Sequence, residues 1–277
     1  MRRTATCAGV VAIAILGSFA AAPVAAAGWL LPESGGSANA DSIAELYLVV
    51  LVIAGVIFFA VTGTLILFLV RYRKRRGRVA SQIHGNTQLE IAWTAVPALI
   101  LVALAVLTFT KLDGIVTPAR SGAAAAGAPY ASIDQPPPPG GNELHIKVTG
   151  RQFIWKYEYP NGAYSYEELR VPVDTTVILD LFSIDVNHSW WIPKLGGKSD
   201  AIPGYANHTW FKATREGVFR GQCAELCGVH HAEMTATVRV VSAPAYESWV
   251  ARQKKLIAEA EQLRAEQQKQ LLKDGRL

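Results

Sequence analysis

Cys223-Ala224-Glu225-Leu226-Cys227-Gly228-Val229-His230-His231-Ala232-Glu233-Met234 gathers two thiols, two imidazoles and a thioether into twelve residues. The spacing is Cys223-x3-Cys227-x3-His231-x2-Met234, and Asn187-His188-Ser189-Trp190 adds one more imidazole thirty-five residues before the first cysteine. Soft sulfur with imidazole suits copper, and zinc in second place, over hard cations. A compact loop draws four of these donors to one point, while His188 has to arrive from an adjacent strand turn. The sequence around them is accordingly expected to be a β domain with the donors in its loops.

The donor set has one thiolate more than the mononuclear copper site of one Cys, two His and a weak axial Met. Two thiolates can instead bridge two copper ions, each completed by one imidazole and one weaker donor. Met234 is one such donor and the backbone carbonyl of Glu225 is the other. Structural zinc competes, since Cys₂His₂ sets bind it well. A Cys223–Cys227 disulfide is a third reading for an exported chain, but it explains neither the histidines nor Met234.

Outward from the loop, the β character is clear. Leu144-His145-Ile146-Lys147-Val148 alternates, Phe153 to Tyr159 is rich in aromatics, and Thr175 to Phe182 and Thr235 to Val241 are rich in β-branched residues. Pro160-Asn161-Gly162 and Gly196-Gly197 are turn signals between them. Short strands at this spacing predict a Greek-key sandwich or barrel over residues 142–243. Residues 244–277 turn helical in period, with Leu256, Ile257 and Leu263 among many charged residues, as in a surface or partner-binding helix.

The chain is 51% hydrophobic and only 18% charged, too apolar for an ordinary soluble protein. Leu46–Val70 and Ile91–Thr110 carry no charge, and each meets the requirement of about 20 apolar residues for a membrane span. The expected hairpin occupies residues 42–113, with spans near 46–70 and 91–112 and Pro97 near the start of the second apolar run. Between the spans, Arg71-Tyr72-Arg73-Lys74-Arg75-Arg76-Gly77-Arg78 marks the cytoplasmic side. Arg2-Arg3, an apolar stretch and Ala25-Ala26-Ala27 predict a signal peptide over residues 1–27, with an uncleaved third span as the alternative. Both arguments put the β domain and both mature termini outside a bacterial plasma membrane. Residues 114–141, ending in four prolines and two glycines, read as a semi-extended linker. Residues 142–240 hold 10 Lys/Arg against 11 Asp/Glu, so the net charge of +5 implies no nucleic-acid surface.

At these residues the chain resembles subunit II of haem–copper cytochrome c oxidases. The strings that carry the likeness are Asp185-Val186-Asn187-His188-Ser189-Trp190, Asp200-Ala201-Ile202-Pro203-Gly204 and Gly221-Gln222-Cys223-Ala224-Glu225-Leu226-Cys227-Gly228. The resemblance implies a cupredoxin-type domain whose binuclear copper centre, CuA, takes electrons from cytochrome c and passes them to haem in subunit I, where oxygen is reduced with proton pumping. It implies His188, Cys223, Glu225 (through its carbonyl), Cys227, His231 and Met234 as the copper ligands, with His230 a bystander. It further implies that the Glu225 carboxylate contributes to a magnesium or manganese site shared with subunit I. Glu90, in Glu90-Ile91-Ala92-Trp93-Thr94-Ala95-Val96-Pro97, would sit at the mouth of a proton channel in subunit I; on the residues alone it is equally a carboxylate at a helix N-terminus. Partners implied are subunit I, further oxidase subunits and cytochrome c.

One departure stands out. The family's Gly-x-Gln-Trp turn, whose Trp receives electrons, reads Gly150-Arg151-Gln152-Phe153 here. Trp155, expected on the same strand face as Phe153, is a candidate substitute and equally a core aromatic. The chain contains no Cys-x-x-Cys-His, so it brings no haem of its own and its donor is a separate cytochrome. Asp185, Glu167 and Glu168 are candidate acids for meeting a basic partner and equally ordinary solvated surface groups. The competing functions are electron input to a nitric oxide reductase and a membrane-anchored copper-binding module without a catalytic partner.

Overall fold

The computed structural model describes residues 30–73, 82, 84–118, 143–274 and 276. The signal peptide, most of the basic run and nearly all of the linker lie outside the described residues. Two long helices come first: α1, Ala38–Arg71, and α2, Thr87–Val116. At 1.5 Å per residue they measure about 51 and 45 Å, well beyond the roughly 30 Å of a hydrocarbon core. Both therefore run past the charge-free stretches into the polar zones on either side. Phe58, Phe59, Leu69 and Phe109 are exposed along their flanks, the pattern of surfaces that meet lipid or other spans rather than a core. Lys111 Nζ and Glu45 Oε2, 2.8 Å apart, join the two helices near their outer ends.

Because α2 begins at Thr87, Pro97 lies well inside the helix rather than near its start. It removes one backbone donor from the ladder. The start is set instead by Asn86, whose side chain accepts from Leu89 N at 3.1 Å and so satisfies one of the unpaired first-turn amides.

The β domain is built from ten strands: β1 Leu144–Arg151, β2 Ile154–Glu158, β3 Tyr164–Tyr166, β4 Glu168–Pro172, β5 Thr176–Ser183, β6 His188–Trp190, β7 Ser199–Ala201, β8 Asn207–Lys212, β9 Gly217–Gln222 and β10 Thr235–Val241. One sheet has the order β3-β2-β1-β5-β8, a second the order β4-β10-β9, and β6-β7 form a small ribbon. β1 runs parallel to β5 and β4 parallel to β10, so the chain crosses between layers as a Greek-key sandwich does. Ile146, Val148, Leu179 and Leu181 from one sheet and Val238 and Val240 from the other bury in the shared core. β5 departs from simple alternation because its outer face is covered too. Ile178 and its cross-strand neighbour Trp210 are both buried there, and Trp210 Nε1 donates to Ile115 O at the end of α2.

That contact belongs to a polar joint between hairpin and domain. Asn39 Nδ2 donates to Trp210 O at 2.8 Å, Ser37 Oγ to Asn39 Oδ1 at 2.6 Å, and Lys212 N to Ser37 Oγ at 3.0 Å. Ser37 and Asn39 are almost fully buried, and buried polar groups are stable only when paired in this way. The joint fixes the β domain on the outer ends of the spans.

The tail is the expected helix, α3, Ala243–Lys273. Its first turns dock through Trp249 against Tyr159, with the Arg170 guanidinium 5.3 Å from the indole centroid. Beneath it, Glu168 accepts from Arg239 Nε and Nη2 at 2.8–2.9 Å and from Arg170 Nη2 at 2.6 Å. Glu168 is thus a clasp between β4 and β10 rather than an acid presented to a partner. Its hydrogen bonds with Arg239, then those with Arg170, outweigh burial and hold its carboxyl below the usual range. A depressed native pKa adds stability above the unfolded value, lost as pH falls through the native one. Glu168→Gln is therefore expected to lower domain stability by about 1 kcal/mol at pH 7, with the difference from the parent shrinking towards pH 3. Denaturation of the detergent-solubilised chain at both pH values checks this.

Candidate metal centre

The loop between β9 and β10 carries most of the donors. Cys223 N donates to Met234 O at 2.8 Å, closing the loop at its neck. Ala224 N donates to Ser189 O at 2.8 Å and Gln222 N to Trp191 O at 3.1 Å, tying the neck to β6 and the residue after it. This approach is so close that a Cβ on Gly221 would lie 1.8 Å from Trp191 O. Only glycine lets β6 deliver His188 to the cysteines. Inside the loop, His231 opens a single 3₁₀ turn, His231–Glu233, which brings Met234 back under Cys227.

The donors converge as the spacing expected. Cys223 Sγ and Cys227 Sγ stand 4.0 Å apart, about twice a disulfide bond, and both thiols are free and buried. His188 Nδ1 faces Cys223 Sγ at 3.8 Å, and His231 Nδ1 faces Cys227 Sγ at 3.6 Å. The Glu225 carbonyl lies 3.2 Å from Cys223 Sγ, and Met234 Sδ lies 3.9 Å from Cys227 Sγ. Each cysteine is thus flanked by one imidazole and one weaker donor. A metal about 2.3 Å from sulfur and 2.0 Å from nitrogen, with an angle near 115–125°, separates those atoms by about 3.6–3.8 Å. The residues fit a metal site, and His188, Cys223 and Cys227 alone form a buried three-donor group within 4.8 Å.

The electrostatics point the same way. Burial opposes ionisation of Cys223, but hydrogen bonding with His188 and the neighbouring backbone brings its thiol down to about 6. For Cys227, burial and then the charge on Cys223 push the thiol up to about 11. Two bare thiolates at this distance repel, and a metal cation removes that conflict. Asp185 supports the arrangement from behind. Its Oδ1 lies 2.9 Å from His188 Nε2, so the carboxylate fixes the ring with Nδ1 towards sulfur. Its Oδ2 accepts from Gln152 N at 2.8 Å. Asp185, although exposed, is thus hydrogen-bonded through both oxygens, and the Asp-x-x-His spacing is the signal of this in the sequence.

The remaining sequence candidates are dispersed. Gln152 and Phe153 form the turn of the β1–β2 hairpin, because Arg151 pairs with Ile154. Phe153 and Trp155 consequently do not share a strand face. Trp155 is fully buried and lies edge-on to His188, with ring centroids 5.8 Å apart, whereas Phe153 is half-buried at the rim. The Gln152 side chain, missed in the sequence, donates to Cys227 O. Glu225 and Glu167 are exposed. Glu90 sits in the first turn of α2, at the end of the hairpin away from the β domain.

Comparison with known proteins agrees with the architecture. The family model described as "Cytochrome C oxidase subunit II, transmembrane domain" matches residues 26–110, and "Cytochrome C oxidase subunit II, periplasmic domain" matches residues 163–241. A cytochrome c oxidase subunit 2 of Alkalihalophilus pseudofirmus is 36% identical over 83% of this chain; the match spans 63% of that relative's length. A counterpart from Cereibacter sphaeroides is 33% identical over 73% of this chain and 72% of its own. The periplasmic domain of cytochrome oxidase subunit II from Bradyrhizobium japonicum aligns at 39% identity over 41% of this chain and 95% of its own, with a TM-score of 0.40.

Removing the Asp185 carboxylate should loosen His188. Asp185→Ala is expected to weaken copper affinity about 10-fold or more, measured by competition with a copper chelator.

Proposed function

The chain belongs to the cytochrome c oxidase subunit II family, and on that premise we propose that it is the electron-input subunit of a respiratory cytochrome c oxidase. It is a two-span membrane protein with an extracytoplasmic β domain. The observation that carries the proposal is the pairing in the loop: two thiols 4.0 Å apart, each with its own imidazole and its own weaker donor. A mononuclear zinc or copper site has no use for six donors so divided, whereas two bridged metals use all of them. When bound, a pair of coppers supplies a one-electron relay in which the charge is shared and little geometry changes.

The protein's part is to hold the donors before the metal arrives. Cys223 and Cys227 would hold the metals through their sulfurs, and His188 and His231 would each supply one imidazole. Met234 and the Glu225 carbonyl complete the set. Asp185 keeps His188 in the tautomer that presents Nδ1. Burial of both cysteines and of Met234 excludes water from the sulfur side. The polar joint at Ser37, Asn39 and Trp210 sets the height of the centre above the membrane. A cofactor in subunit I then lies at a fixed distance.

Two further roles follow the family pattern. The Glu225 carboxylate, free of the copper set because only its carbonyl is used there, suits a hard magnesium or manganese ion shared with subunit I. Glu90, in the first turn of α2, would by the same family pattern serve proton uptake into subunit I. In this reading the donor is a separate cytochrome c.

Two copper ions per chain and an electron spin shared between them are the expected result for the purified oxidase. Cys227→Ser should abolish the shared-spin signal, while His230→Ala should leave it in place. Oxygen uptake driven by reduced cytochrome c tests the assignment to respiration. Nitric oxide consumption in place of oxygen uptake would transfer the subunit to a nitric oxide reductase, and one zinc per chain would remove the electron-transfer role altogether.

A further inference from the structure

We propose that Gln152 is a positioning residue of the metal centre, tying the His188–Cys223 half of the donor set to the Cys227–His231 half. The proposal rests on the electron-input reading above and adds what keeps the two halves at a fixed separation.

The two halves are held by different parts of the chain. His188, facing Cys223, comes from β6, and Asp185 fixes its ring through Nε2 at 2.9 Å. Cys227, facing His231, lies in the middle of the β9–β10 loop. The bonds that anchor the neck of that loop are made by Cys223 N and Ala224 N. Further along, His231 N donates to Gly228 O at 3.1 Å, a bond that closes the loop on itself without reaching another strand.

Gln152, in the turn between β1 and β2, reaches both halves. Its backbone N donates to Asp185 Oδ2 at 2.8 Å, and its side-chain Nε2 donates to Cys227 O. One residue thus runs from the carboxylate behind an imidazole to the main chain of the second cysteine. The turn that carries it is seated firmly. Ile184 N donates to Gly150 O at 3.3 Å, and a Cβ on Gly150 would lie 3.0 Å from both His188 Cδ2 and Trp155 Cζ3. On the other side, a Cβ on Gly228 would come within 2.9 Å of Gln152 Nε2. Gly228 also holds φ at +137°, a conformation that favours glycine, so the chain after Cys227 leaves space for the amide.

The chemistry of the bond is directional. A carbonyl needs a donor, which an amide supplies and an ionised carboxylate of the same shape does not. Removing the amide leaves Gln152 N on Asp185, and His188 with it. Cys227 alone is then free to shift against Cys223, and the 4.0 Å between the sulfurs is no longer fixed. Two metals held by unequal halves would share an electron unequally.

The test uses the complete chain with Gln152→Met, which keeps the length and drops the donor, and Gln152→Glu, which keeps the shape and replaces the donor by an acceptor. Gln152 is exposed at its turn, so both changes leave the core intact. The first reading is made without metal, with oxidised glutathione as the oxidant. The two thiols lose two electrons and two protons as sulfur joins sulfur, and the glutathione disulfide gains them as two thiols. Gln152→Met is expected to form the Cys223–Cys227 disulfide, followed by the mass of the joined peptides, about 2- to 10-fold faster than the parent, the worth of one hydrogen bond. The second reading is made with copper. Both variants should bind it about 10-fold more weakly, with a hyperfine pattern that passes from equal to unequal sharing of the spin. A side chain that merely filled space would give a Met variant matching the parent. An unchanged disulfide rate in Gln152→Met would therefore overturn the proposal while leaving the electron-input reading intact. A parent chain that takes up zinc, or no metal, would strike that reading instead, and the metal-free rate would still decide the role of Gln152.

Discussion

Everything at the centre depends on bringing two cysteine sulfurs to 4.0 Å without joining them. At that distance two unit negative charges repel by about 4 kcal/mol at an effective dielectric of 20. Hydrogen bonds from His188 and the backbone favour ionisation of Cys223, whereas burial and the charge on Cys223 disfavour it at Cys227. Backbone hydrogen bonds hold the geometry meanwhile. Cys223 N to Met234 O fixes the neck of the loop, and Ala224 N to Ser189 O fixes the neck to the strand that carries His188. Backbone hydrogen bonds thus hold the donors in place, and a cation bound among them would offset the repulsion.

The same economy runs through the rest of the molecule. Close approaches are made where glycine permits them: Gly221 beneath Trp191, Gly150 against His188 and Trp155, Gly228 under Phe153. Each allows one loop to rest on another, and together they turn three separate segments into one rigid surface over the metal site. The hairpin is joined to the domain by buried side-chain hydrogen bonds rather than by an apolar seam. Such bonds carry direction as well as attraction, so the height and orientation of the β domain above the membrane are specified together.

Much of this was legible in the sequence. The twelve-residue loop named its own donors because metal chemistry constrains residue type and spacing at once. The spans were legible because lipid demands long charge-free runs, although their helices extend beyond those runs and enclose Pro97. The strands followed from alternation and β-branching, as at Leu144–Val148 and Thr235–Val241. What was illegible depends on contacts between distant segments. Glu168 looked like a surface acid until Arg239, seventy-one residues away, was seen to clasp it. The bond of Asp185 to Gln152, thirty-three residues away, left no local signal either. Phe153 and Trp155 were placed on one face by period alone, because the hairpin turn between β1 and β2 leaves no local signature at Gln152.

X-ray absorption at the copper edge of the freshly isolated, reduced oxidase tests the central claim most directly. The expected spectrum, with any copper of the partner subunit subtracted, shows two sulfur neighbours per copper at about 2.3 Å and one imidazole nitrogen at about 2.0 Å, together with a copper–copper vector shorter than the sulfur–sulfur distance. A single metal with no metal–metal vector, or sulfur joined to sulfur with copper absent from the loop, would contradict the bridged pair on which the account is built.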